Sequence, residues 1–339
     1  MLEVEQLPSG PWRAIEYCFE AGWTDGLPVV PPVEELVDAY LAAAGWAPDE
    51  VLMVEPVRGR DVAARQVVAN AVMAGCLPEH LPVVRAALRA LAEPQFHLHG
   101  PATSTGGATP LIMVNGPIRD RIGMNYRGNI FGPTSRANST IGRAIRLVFM
   151  NVLGARPETL DRSTQGSFGK FSGCFAEYEQ ASPWEPFHAS RGLPPDSDAV
   201  TVFAAESPHN ILCHGTDDPE KILTIAADTM AAMGSFSPGE SVLVLAPEHV
   251  EFLRRAGWSR RDVQEFLYRN ARRRVVDLEQ AGKLEGRAWR VQEDTWVHRG
   301  LGPDDVLVLV GGGDAGGHSA FFPSWSRGRA SRAVTVPIQ

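Results

Sequence analysis

Five side chains could carry acid–base or thiol chemistry by their type and neighbours: Cys174, Glu177, Glu206, His209 and His318. The densest neighbourhood is Val306-Leu307-Val308-Leu309-Val310-Gly311-Gly312-Gly313-Asp314-Ala315-Gly316-Gly317-His318-Ser319. Its uncharged β-branched run reads as a strand buried on both faces. Glycine lets the backbone come close to a ligand and turn several N–H groups toward one spot. Gly312, Gly313, Gly316, Gly317 and Ser319 are therefore expected to bind substrate, with His318 as a titratable ring beside them. In an open α/β sheet, ligands bind off the carboxyl ends of strands, where this loop would lie. It is not a Walker A loop, and the Pro323 that follows argues against a helix there.

Ser172 to His188 places the Cys174 thiol, the carboxylates Glu177, Glu179 and Glu185, and His188 in one short segment. Trp184 could shield a carboxylate and raise its pKa, as a general acid requires. The segment from Ala204 to His214 follows another apolar run, so Glu206 and His209 are expected at a strand exit as an oriented acid–base pair. His209, Cys213 and His214 could instead ligate a metal, but their spacing matches no zinc signature and a protein-bound metal is not the favoured reading. No cofactor is specified. Gly128 to Thr140 reads as a loop entering a helix capped by Ser135, where Arg136 and Asn138 could hold an anionic group.

These residues need elements to position them. Helices are expected over Pro11 to Ala21, Val33 to Ala44, Asp61 to Ala74, His80 to Leu91 and Ser135 to Leu153. In the last, Ile141, Ile145, Val148 and Val152 recur at helical spacing. Between the first two, Trp23-Thr24-Asp25-Gly26-Leu27-Pro28 cannot be helical. Leu111 to Val114, Val200 to Ala204, Ser241 to Leu245 and Ala333 to Val336 read as further strands. Helices are expected from Pro219 to Met233, capped by Thr216 or Asp217, from Pro247 to Arg255, and from Ser259 onward with Asp262 at its start. Residues 155–193 show little periodicity. Strands alternating with helices imply an α/β fold with a mostly parallel sheet, flanking helices and a helix-rich N-terminal lobe. The expected division is residues 1–195 and 196–339, with the site at the junction.

Composition narrows the partners. The 339 residues are 44 % hydrophobic and 21 % charged, with a formal net charge of −8. Without basic runs, nucleic acid is not an expected partner. Three of the 32 basic residues are lysine, a usage that GC-rich coding produces, as in actinobacteria. No apolar run reaches the roughly 18–20 residues of a membrane helix. The N-terminus, with Glu3 and Glu5, does not read as a signal peptide. Cys18, Cys76, Cys174 and Cys213 are widely spaced and read as free thiols of a cytoplasmic chain. A small-molecule substrate is the expected partner, no membrane is expected, and homo-oligomerisation is left open.

Several segments resemble the UGSC family of (seleno)proteins: Trp23 to Pro32, Asn70 to Pro78, Arg136 to Ala144, Ser182 to Pro186, and the Gly311 to Ser319 loop. The similarity spans nearly the whole chain. The family's name implies a selenocysteine- or cysteine-Gly-Ser-Cys redox motif. This chain carries Ser172-Gly173-Cys174 and no Cys-Gly-Ser-Cys.

The sequence thus predicts an enzyme of lyase or hydrolase type. It would perform elimination, hydration or hydrolysis on a small polar or anionic metabolite. His318 or His209 would be the base, Glu177 or Glu206 the acid, and the loop amides would stabilise negative charge. Two alternatives are a thiol-dependent redox enzyme using Cys174, with Cys213 or Cys76 resolving, and a non-catalytic metabolite-binding protein. The redox reading needs an accessible, low-pKa thiolate.

Overall fold

Val306–Val310 and Ser241–Leu245, the two uncharged apolar runs, are adjacent parallel strands in which every residue is buried. The structure, a computed structural model, describes residues 10–133, 135–237, 239–283, 295–325 and 331–339. The expectation about Glu3 and Glu5 lies outside those residues, as does Thr134 in the loop before the long helix. Along the chain the strands are β1 (Val51–Val54), β2 (Asp61–Ala63), β3 (Thr109–Asn115), β4 (Cys174–Ala176), β5 (Ala199–Ala205), β6 (His209–Leu212), β7 (Ser241–Leu245), β8 (Arg272–Arg274), β9 (Trp296–His298), β10 (Val306–Val310), β11 (His318–Phe322) and β12 (Val334–Pro337).

The fold mixes helix and sheet, and the sheets are of mixed orientation. β10–β7 and β3–β4 are parallel, while the other described pairings are antiparallel. The expected mostly parallel sheet is thus not what these pairings form. For β11 the reason is local: it follows β10 through the short glycine loop, without the crossover helix that a parallel connection requires.

The chain divides into two compact units. The first holds residues up to Glu177, Pro186–Glu206 and Arg332–Gln339; the second holds Tyr178–Glu185 and Ser207–Ser331. The crossing nearest the expected 195/196 boundary falls between Glu206 and Ser207. β12 pairs antiparallel with β5, from Val334 against Val202 to Pro337 against Ala199, and returns the C-terminus to the first sheet.

In the first unit the sheet order is β12-β5-β3-β4. Helix Leu81–Ala92 packs on β5 and β12, and helix Arg136–Asn151 packs on β4 and on helix Ala64–Ala74. The long helix buries Ile141, Ala144, Ile145 and Val148, the face its spacing predicts, and Ser135 caps it by accepting from Asn138 N. Asp61 to Ala63 do not join the expected helix. They pair with β1, burying Val62, and the helix begins at Ala64 with the Gln66 side chain accepting from Ala63 N. The non-helical Trp23–Pro32 segment is tied down by a two-pronged Arg143–Asp25 pair at 2.8 and 2.7 Å. Asn151 adds a bond to the Trp23 carbonyl.

In the second unit the order is β10-β7-β11-β6. Helix Pro219–Met230 packs along β6 and β11, and helix Arg260–Asn270 along β10. Leu223, Met230, Leu243, Leu253, Leu267, Val308 and Phe321 fill the core between them. Each such side chain stabilises the fold by roughly 1.5–3 kcal/mol on burial. The first helix is capped by Asp218, which accepts from Glu220 N, and ends at Met230 rather than Met233. Ser259 and Asp262 form a reciprocal cap on the second.

Among the described residues no single helix is long and apolar enough to cross a membrane. The bent pair Ala64–Ala74 with Pro78–Ala92 has the composition, but it turns through 118° and is largely buried in the first unit.

Candidate functional site

β7 and β10 run parallel and end together, Leu245 opposite Val310. Gly311 extends their ladder by one bond, donating to the Leu245 carbonyl at 3.0 Å. The chain then reverses. Gly312 (φ 115°) and Gly316 (φ 117°) take the left-handed backbone that this reversal needs. Gly317 is required by space: a Cβ there would lie 1.9 Å from the Cys213 carbonyl oxygen. The loop enters β11, as Pro323 suggested, and β11 runs antiparallel between β7 and β6.

Strand parity now sorts the side chains, because successive residues face opposite sides of the sheet. His318 pairs with Leu212 and is exposed. Its Nδ1 faces the Asn210 Oδ1 at 3.0 Å. His214, two residues past the end of β6, is also exposed, and its ring stands edge-on to His318 with centroids 4.9 Å apart. Gly317 N donates to His214 Nδ1 at 3.2 Å. Glu248, in the first turn of helix Pro247–Arg255, accepts from Gly316 N at 2.6 Å.

These partners fix two different tautomers. A backbone N–H can only face a bare ring nitrogen, so neutral His214 carries its proton on Nε2. A carbonyl oxygen facing Nδ1 requires a proton there, so neutral His318 has a bare Nε2. One ring offers a donor and its neighbour an acceptor. The N–H groups of Gly312 and Gly313 have no acceptor among the described residues.

Ser319 faces the other way. It is 4 % exposed, accepts from Ala246 N at 2.9 Å and lies 2.8 Å from His249 Nδ1. His249 Nε2 faces the Cys213 carbonyl at 3.0 Å and must donate to it. Burial holds the His249 pKa below the ordinary imidazole value, against the opposing Cys213 bond. The ring is therefore neutral, and the Ser319 hydroxyl donates to its Nδ1. Ser319 thus joins β11 to the start of a helix and is turned away from the face that carries His318.

The other expected site residues have their own local surroundings. His209 pairs with Phe321 at the far end of the same hairpin and packs edge-on to that ring at 5.8 Å. Three residues of strand, about 10 Å, separate it from the His318 position. Burial, aided by the Arg299 charge, lowers its pKa. Glu206 follows β5 in the first unit, whereas His209 belongs to the second.

Cys174 opens β4 and is buried; burial pushes its thiol far above the ordinary value, and Cys76 to about 12. Neither is the accessible thiolate that redox chemistry needs. Glu177 is fully buried, and its Oε2 accepts from Asn115 Nδ2 at 2.5 Å and Phe187 N at 2.8 Å, joining the ends of β3 and β4 to the segment that follows. Arg136 donates from Nε to the Gly75 carbonyl at 2.8 Å. Asn138 is buried, with its amide bonded to both backbone groups of Asn125 and to Ser135.

Glu248 and His249 were not singled out from sequence. The signal was present: they open a helix directly after the buried β7 run, the same kind of strand exit that drew attention to Gly311. Among the described residues no group of three His, Cys, Asp or Glu side chains is placed to hold a metal ion. Compared with known proteins, the chain matches no protein-family model, and no curated protein is significantly similar to it.

Proposed function

We propose that the second unit performs acid–base chemistry on a small anionic or polar metabolite at the glycine loop, with His318 as the base. The observation that carries this reading is the geometry of His214 and His318: ring centroids 4.9 Å apart, one Nδ1 facing the Gly317 N–H and the other the Asn210 Oδ1. The bare His318 Nε2 takes a proton from carbon or water. His214 cannot gain a proton on Nδ1 while Gly317 donates to it, so it serves as a neutral N–H electrophile. Such a group polarises a carbonyl and stabilises the developing oxyanion without giving up its proton. The amides of Gly312 and Gly313 add further donors. His318, once protonated, returns its proton to the leaving group or to the product.

Elimination and hydration beside a carbonyl or carboxylate suit this arrangement best, and a lyase is the reading it supports. Membership of the UGSC-like group, a cytoplasmic location and a homo-oligomeric state belong to the same proposal. The four free, buried cysteines support the location. The test is a screen of small carboxylates for gain or loss of water, followed by the His318→Gln and His214→Gln variants. Turnover should fall roughly 10²–10⁴-fold in His318→Gln, the scale of a lost general base. Wild-type rates in both variants would exclude the pair.

A further inference from the structure

The first unit contains a charge cluster that the chemistry above does not use. Asp161 is buried, and two cations close on it. Lys170 Nζ donates to Oδ1 at 2.8 Å and Oδ2 at 2.6 Å, and Arg146 Nη2 donates to Oδ2 at 3.1 Å. The side chains of Lys170 and Arg146 are 13 % and 14 % exposed. Burial pushes Asp161 up, but the bonds from Lys170 and Ser163 outweigh it and hold the carboxyl at about 2. Burial pulls Lys170 down, Asp161 opposes that, and Arg146 adds to the fall. One carboxylate therefore faces two sheltered cations, and among the described residues neither cation is paired with another carboxylate.

The cations differ in what remains free. Lys170 spends its third donor on Ser163 Oγ at 2.5 Å. Arg146 makes no bond beyond the one to Asp161 among the described residues, so Nε and Nη1 are uncommitted. Around the cluster two glycine- and hydroxyl-rich loops close on each other. Thr164 N donates to the Thr105 carbonyl, Ser163 Oγ lies 2.9 Å from the Gly106 carbonyl oxygen, and a Cβ on Gly107 would lie 2.3 Å from the Gly166 oxygen. In the second loop the Ser167 hydroxyl is buried without a hydrogen-bond partner. Sheltered charge is costly unless paired, and a guanidinium fork matches two oxygens of one anion.

We propose that Arg146, held by the Asp161–Lys170 pair, is an oxyanion-binding site for the carboxylate or phosphate group of a small metabolite. The proposal is independent of the histidine pair.

Titration calorimetry at constant ionic strength tests it, with inorganic phosphate and acetate as separate probes. Saturable binding of at least one probe is expected. Arg146→Gln should weaken it by about tenfold or more, the loss of a charge-assisted fork. Arg146→Lys, which keeps the charge without the fork, should also weaken it and decides the matter if the glutamine variant does not fold. Arg162→Gln removes the same charge from an exposed neighbour and should bind as wild type does. The stronger probe identifies the anion class. No saturable binding of either probe, or equal weakening in Arg162→Gln, would overturn the proposal.

Discussion

His214 and His318 differ in the property that decides what an imidazole can do: the nitrogen that carries its proton. Long-range ¹⁵N correlation spectra above the pH of ring protonation should show the Nε2–H form for His214 and the Nδ1–H form for His318. The same tautomer on both rings would remove the division of roles. The cysteines give a second residue-scale expectation. All four are buried, and burial raises Cys18, Cys76 and Cys174 above the ordinary thiol value. A thiol reagent such as dithionitrobenzoate should label none of them in the native protein and all four in denaturant; rapid native labelling of Cys174 would revive thiol chemistry. How much of the site was legible follows from the same residues. Glycine density made the turn after β10 legible, and His318 with it as the first residue of the next strand. The roles of Ser319 and His209 were not legible, because strand parity turns Ser319 inward and the hairpin register carries His209 to the far end. The burial of Glu177 and Asn138 was not legible either, because composition alone does not distinguish a buried polar side chain that joins elements from one that meets a ligand.

The element that carries the candidate site is the β6–β11 hairpin, and Gly317 is its closest point. Gly317→Ala puts a methyl group 1.9 Å from a backbone oxygen, which the hairpin can relieve only by parting. The variant should lose several kcal/mol in urea denaturation, at the upper end of single substitutions. A Cβ on Gly302 meets nothing within 4 Å, and Gly302→Ala should stay within about 1 kcal/mol of wild type. Equal stability of the two variants would contradict the geometry. β7 and β10 were legible because both faces are buried and the runs are uncharged. β6 was not: His209-Asn210-Ile211-Leu212 is short, half exposed and follows Pro208, and it becomes a strand only because β11 pairs with it. β2 was hidden for a similar reason, since Asp61-Val62-Ala63 continues directly into a helix and pairs with a neighbour that its own pattern does not announce.

At the scale of the whole chain, the first unit is completed by its last strand, so its stability depends on residues distant in sequence. Ending the chain at Ser331 removes β12 and should destabilise the first unit, seen as a lower melting temperature; an unchanged melt would mean that β5 does not need its partner. The first unit also carries a pH dependence. Burial lowers His80 from 6.5 to about 4, and Leu77 N donates to its Nδ1. The unfolded ring takes up a proton near pH 6.5 and the folded ring only near 4. That contribution is therefore complete above 6.5 and is lost as pH falls through 4, by about 3 kcal/mol. His80→Asn should flatten the urea midpoint across that window, and an unchanged slope would contradict it. The central claim is that His318 takes a proton from a small metabolite, and exchange in deuterium oxide tests it most directly. A mixture of small carboxylates is incubated with the wild type and with His318→Gln and followed by mass spectrometry. At least one compound should gain deuterium or exchange water with the wild type, at a rate lower by roughly 10²–10⁴ in the variant at equal melting temperature. No incorporation with the wild type, or equal incorporation by both proteins, would contradict it.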